Sequence, residues 1–133
     1  MTERYFSPAE VQALIPQLIA IMDRVRPAYT EASELRQATH AEQRRVTLAG
    51  GAMIDREAWA ARRGRIEALT REIQHGIDEL LGLGGVPKDL DLGLVDFPHR
   101  RGGKTVNLCW KYAERDIRYW HGLDEGYAGR KPL

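Results

Sequence analysis

From Val11 to Leu35, apolar residues recur three and four positions apart along two adjacent seams. One seam runs through Val11, Ile15, Leu18, Met22, Val25, Tyr29 and Ala32. The other runs through Leu14, Leu18, Ile21, Val25, Ala28, Ala32 and Leu35. The period is helical, and the combined stripe is too wide for a two-stranded coiled coil, so this helix must meet more than one neighbour. Its start is marked by Ser7-Pro8-Ala9-Glu10: an N-cap serine, a proline at the first helical position and a glutamate placed to close a capping box. Phe6 and Val11 are set to form a hydrophobic staple across that start. Pro16 and Pro27 each remove an intrahelical hydrogen bond and are expected to kink or break the helix.

The stretch Thr47-Leu48-Ala49-Gly50-Gly51 has turn composition. A second helix follows, with Asp55 as N-cap, Ala58 and Trp59 in its opening turn, and Ile66, Leu69, Ile73, Ile77 and Leu80 along one face. It should end near Gly82, because Gly84-Gly85-Val86-Pro87 cannot continue it. Two long helices joined by a modest loop read as an antiparallel hairpin.

After Pro87 the period drops to two. Leu92, Leu94 and Asp96 alternate with Gly93, Val95 and Phe97, and then Pro98 and His99-Arg100-Arg101-Gly102-Gly103 interrupt. Alternation resumes from Thr105, with Val106, Leu108 and Trp110 on one face and Asn107, Cys109 and Lys111 on the other. Strand, glycine-containing turn, strand is a β-hairpin. Ile117-Arg118-Tyr119-Trp120-His121 is rich in strand formers and reads as a third strand with Ile117, Tyr119 and His121 on one face; as a helical turn it would align Glu114, Arg118 and His121 instead. The expected fold class is therefore α+β. Two long antiparallel helices, a kinked hairpin, pack on a small antiparallel β-hairpin or three-stranded meander. The chain reads as one domain over 1–133, with a helical hairpin at 1–83 and a β-rich half at 84–133.

Composition narrows the function. At 133 residues, with 43% hydrophobic and 29% charged side chains, the chain is long enough to bury a core and too apolar to be disordered. Charge is balanced in both halves: 11 basic against 12 acidic residues over 1–83, and 9 against 7 over 84–133. The helical half is arginine-rich, but Glu42, Asp55, Glu57, Glu67 and Glu72 interleave with those arginines and cancel most of the field. Nucleic acid is thus not an expected partner. A membrane is not expected either, since no apolar run approaches the roughly 18 residues of a span and MTERYFSPAE has no signal core. Cys109, the single cysteine, cannot form an internal disulfide and fits a cytoplasmic location.

Gly93-Leu94-Val95-Asp96-Phe97-Pro98, Leu108-Cys109-Trp110, Trp120-His121 and Gly126-Tyr127-Ala128-Gly129-Arg130 occur in that order and resemble a small prokaryotic family, domain of unknown function 2203. The Ser-Pro-Ala-Glu start and Leu14-Ile15-Pro16 resemble its opening helix, so the likeness covers nearly the whole chain. One departure is Ala113 before Glu114, where the resemblance implies glycine and a turn of positive φ would favour it. The resemblance implies a boundary and no activity.

Candidate chemistry lies in the β-rich half. Asp96 shares a face with Leu92 and Leu94, an apolar setting in which a carboxylate needs a partner or a role. Arg130 follows Gly126 and Gly129 on a backbone that can approach an anion and present a bidentate fork. Trp110 and Trp120 could wall a pocket, and Glu114 and His121 complete the candidate small-molecule site. The structural alternative is that Asp96 and Arg130 pair with each other and pin the C-terminal tail to the sheet. A divalent metal is a further alternative, through Asp96, Cys109, Glu114 and His121, although no Cys-x-x-Cys, His-x-His or His-Glu-x-x-His spacing is present. A carboxylate with a histidine would support acid–base chemistry, but no nucleophile motif, phosphate loop or dinucleotide fingerprint occurs, so enzyme activity is left open. A third reading is a homo-oligomeric interaction module, most simply a dimer, that uses surplus apolar surface on the first helix.

Overall fold

The computed structural model of the chain describes residues 4–50 and 55–133. Helix α1 spans Pro8–Leu48, 41 residues, and opens on the expected capping box: Glu10 N–H donates to Ser7 Oγ at 3.1 Å, and Ser7 N–H donates to Glu10 Oε1 at 2.9 Å. Phe6 and Val11 are both buried in the main core. Phe6 also holds this end of the chain to the sheet. Its ring meets Phe97 edge-on at 5.1 Å, and its N–H donates to Pro98 O at 2.7 Å.

The helix is not broken at Pro16 or Pro27; it runs continuously through both. Each proline costs about 3 kcal/mol in a free helix. Here Ile15, Leu18, Ile21, Met22, Val25 and Ala28 are all buried around them, and that packing offsets the loss. Of the expected turn, Thr47 and Leu48 are still helical, Ala49 caps the helix, and Gly51 lies outside the described residues.

Helix α2, Arg56–Leu83, starts on Asp55, whose side chain accepts from Ala58 N–H at 3.1 Å, and ends on Gly84 at φ 95°. A side chain at Gly84 would also strike the Phe6 ring. The helices pack tightly at Gly76, where a Cβ would lie 2.1 Å from a methyl of Val25. From Glu31 on, the seam between the helices becomes more polar. Arg65 grips Glu31 with two hydrogen bonds, and Glu42 accepts from Trp59 Nε1 and from Arg62. Four arginines of this half, Arg4, Arg24, Arg62 and Arg65, are paired with its own carboxylates.

The sheet is larger than expected. Five antiparallel strands follow one another as a meander: β1 (Val86–Asp89), β2 (Leu94–Arg101), β3 (Lys104–Lys111), β4 (Tyr119–Gly122) and β5 (Lys131–Pro132). The β2–β3 hairpin turns on Gly102 and Gly103 alone, both at positive φ, while His99, Arg100 and Arg101 remain in the strand. Pro98 is tolerated because β1 pairs only with Leu94–Asp96, which leaves β2 an edge at that point. Ile117 is not part of β4 and does not share the face of Tyr119 and His121; it packs in the core, its N–H donating to Gln12 Oε1 at 2.9 Å.

Strand register fixes two faces. Val95, Phe97, Leu108, Trp110 and Trp120 face the helices, and both α1 seams are covered by α2 and this inner face. Leu48, Leu81 and Leu123, the most exposed large apolar side chains among the described residues, lie on separate elements. No helix among the described residues is long and apolar enough to cross a membrane.

Candidate metal and ligand site on the outer face of the sheet

The outer face carries the rare residues. In antiparallel register Asp96 on β2 sits opposite Cys109 on β3, and His121 on β4 sits opposite Asn107. All three side chains of the Asp96, Cys109 and His121 group are buried, and their ligating atoms lie within 4.8 Å of one another. His121 Nε2 is 3.1 Å from Asp96 Oδ1 and 3.0 Å from Oδ2, and its Nδ1 is 2.9 Å from the carbonyl of Gly122.

Both histidine nitrogens therefore face oxygen acceptors. A neutral imidazole has one N–H and can satisfy only one of them. The second contact calls for another proton or for a metal cation on Nε2. With Nδ1–H donating to Gly122 O, the Nε2 lone pair points at Asp96, the orientation that metal-ligating histidines take from such a backbone bond.

Burial and, next, the negative charge of Asp96 push the Cys109 thiol up to about 12. An unaided thiol of that kind is a poor nucleophile at neutral pH.

A second pair lies beside the first. Arg130 Nη2 donates to both carboxylate oxygens of Glu114, at 2.7 and 2.8 Å, and the guanidinium stacks on the rings of Tyr119 and Tyr127 at 4.0 and 4.9 Å. Burial works against the Arg130 charge, but the Glu114 hydrogen bond and the surrounding negative groups outweigh it and hold its pKa above the ordinary value. Glu114 is set by its turn, its Oε1 accepting from Lys111 N–H at 2.7 Å. The two pairs meet at Cys109, whose carbonyl accepts from Arg130 at 3.3 Å.

The sequence-based candidates are thus sorted. Asp96, Cys109 and His121 come together, and Glu114 and Arg130 form their own clamp one step away. Asp96 does not pair with Arg130, because strand register gives it His121. Glu114 is not among the clustered ligand atoms, since Arg130 holds its carboxylate. Trp110 and Trp120 are not pocket walls: Trp110 is fully buried on the inner face, its Nε1 donating to Glu114 O, and Trp120 packs beside Leu108.

Above the cluster lies a cavity of about 140 Å³, with Asp96, Cys109 and His121 in its lining. Its walls include residues that sequence reasoning missed, among them Lys88, Leu123, Glu125 and Tyr127. Asn107 could have been found from its alternation with Cys109. Lys88 could not, because Val86-Pro87-Lys88-Asp89 is too short, and too interrupted by Pro87, to show a strand period.

The sequence model of the family described as "Uncharacterized conserved protein (DUF2203)" matches residues 4–133. No curated protein and no solved structure matches the chain.

Proposed function

Because the chain belongs to the DUF2203 family, whose description names no activity, we propose from the site alone that it binds a divalent transition metal, zinc or ferrous iron. Asp96, Cys109 and His121 are the ligands, and the fourth position opens to the outer-face cavity. The observation that carries this reading is the gathering of three chemically different ligand atoms from three adjacent strands, all buried and within 4.8 Å of one another. Thiolate, imidazole and carboxylate together suit zinc or iron and not the hard cations, which prefer oxygen. Metal–nitrogen and metal–oxygen bonds of about 2.0–2.1 Å at a tetrahedral angle place ligand atoms about 3.3 Å apart. The Asp96–His121 separation is already near that value.

A cation between these groups would replace the thiol proton and relieve the histidine's double-acceptor contact. Three protein ligands and one open position is the arrangement of metal sites that handle a small molecule rather than of closed structural ones. The Glu114–Arg130 clamp contributes by holding the backbone carbonyl of Cys109.

Cobalt(II) titration of chelator-treated protein tests the reading. Binding at one equivalent should produce a near-ultraviolet thiolate-to-cobalt charge-transfer band. Cys109→Ser should abolish the band, and Asp96→Asn and His121→Ala should weaken cobalt binding at least tenfold. The opposing reading is an imidazolium–carboxylate clasp that holds β2 to β4 without metal. It would prevail if no band formed and if Asp96→Asn and His121→Ala lowered the melting temperature by the same amount with and without chelator.

A further inference from the structure

Resting on that metal reading, we infer that the cavity takes a small monoanion on the metal's open position, a short-chain carboxylate held between the metal and Lys88. Charge, size and wall chemistry lead there independently.

The charged side chains lining the cavity besides the metal ligands are Lys88 and Glu125. Glu125 is already matched: Lys131 Nζ is 2.5 Å from its Oε1, and Gly122 N–H donates to the same oxygen at 2.9 Å. The Lys88 side chain has no hydrogen bond or ion pair with any described residue. A divalent metal bound by the Asp96 carboxylate and the Cys109 thiolate is locally neutral, since the imidazole adds no charge. The cavity then carries one unmatched positive charge, that of the exposed Lys88, which favours one negative charge. A dianion would overcompensate.

Lys88 owes its position to an irregularity of the sheet. Val86 pairs with Asp96 and Pro87 with Val95, but the register shifts before Asp89, which pairs with Leu94. Lys88 is the extra residue of this bulge, and bulges at sheet edges commonly re-aim a side chain. Here the shift leaves Lys88 lining the same cavity as the metal ligands. Asn107, half-buried on the cavity wall, has a side-chain amide without a partner among the described residues and can donate to the same anion.

Size limits the ligand. At about 140 Å³ the cavity falls well below the roughly 300–1,000 Å³ of ordinary small-molecule pockets, so its ligand is small. Acetate and propionate fit. Leu94, Leu123 and Tyr127 supply apolar wall for a short aliphatic stem, which an inorganic anion lacks.

The test uses the full chain loaded with cobalt(II), read by its visible ligand-field bands while sodium acetate, propionate or sulfate is added at constant ionic strength. Acetate and propionate should shift the bands saturably, and sulfate should require at least tenfold more. Lys88→Met should raise the acetate Kd about tenfold and leave the charge-transfer band and cobalt affinity unchanged. Asn107→Ala should raise it severalfold; far-ultraviolet circular dichroism verifies that both variants are folded. Bands that form but ignore acetate, or respond equally in Lys88→Met, overturn the carboxylate inference while the metal reading stands. Absence of the charge-transfer band in the parent protein overturns both.

Discussion

Ala113 is the one described non-glycine residue at positive φ, 83°. It is the third residue of a turn closed by Glu114 N–H donating to Lys111 O at 3.0 Å, and Tyr112 before it has negative φ. That pattern is a type II turn, whose third position wants glycine. An alanine there brings Cβ against the following carbonyl, at about 1–2 kcal/mol. Replacing it by glycine removes the strain but loosens the unfolded chain, which costs back about 0.4–1 kcal/mol. Ala113→Gly should therefore stabilise the protein by about 0.5–1 kcal/mol, or about 2–5 °C in Tm for a chain of this length. Ala113→Val, with a branched Cβ at the same φ, should destabilise it by about 1–2 kcal/mol. Urea unfolding followed by circular dichroism reads both as shifts in midpoint at constant slope. The turn also presents Glu114 to Arg130, so the valine variant should loosen that clamp. A lower midpoint for Ala113→Gly, or no effect of valine, would refute the claim that the turn stores strain.

Trp110→Ala should cost about 3–5 kcal/mol, because the indole is fully buried against the helices and its removal leaves Glu114 O without a donor; a urea midpoint shift below about 1.5 kcal/mol would show that the inner face is not the core. The Cys109 thiol predicts an alkaline weakness. Its pKa rises from 9.0 unfolded to about 12 folded. The unfolded chain thus releases a proton that the fold retains, and the stability present below about pH 9 is lost as pH rises towards 12. In the presence of chelator, the urea midpoint of the parent should fall more steeply between pH 9 and 10.5 than that of Cys109→Ala; parallel slopes would contradict this.

The helical half was readable because its signals are local. Ser7 with Glu10, Asp55 with Ala58, and Gly84 at the end of α2 each act within four residues, and each is where the sequence puts it. What they did not decide there was non-local. Whether Pro16 and Pro27 break a helix depends on the packing on either side, which periodicity does not weigh. The meander was legible in its central strands, and its two short outer strands were not, for a related reason. β1 and β5 have four and two residues, too short to show a period, and β2 is buried on both faces from Leu94 to Phe97, so its alternation carries no inside–outside contrast.

The candidate site divides along the same line. Alternation alone puts Asn107, Cys109 and Lys111 on one face of β3, and Tyr119 with His121 on one face of β4. Choosing a partner for Asp96 needs the register between strands, which no local pattern contains. A shift of one residue would have turned Cys109 towards the helices and Trp110 outwards. What selects the observed register is the inner face: Val95 and Phe97 oppose Trp110 and Leu108, and all four are fully buried. The apolar core therefore decides which polar residues meet on the other side. Asp96, Cys109 and His121 are brought together by side chains that never touch the cavity, and a substitution such as Phe97→Ala should loosen the site from behind, through the strand that both faces share.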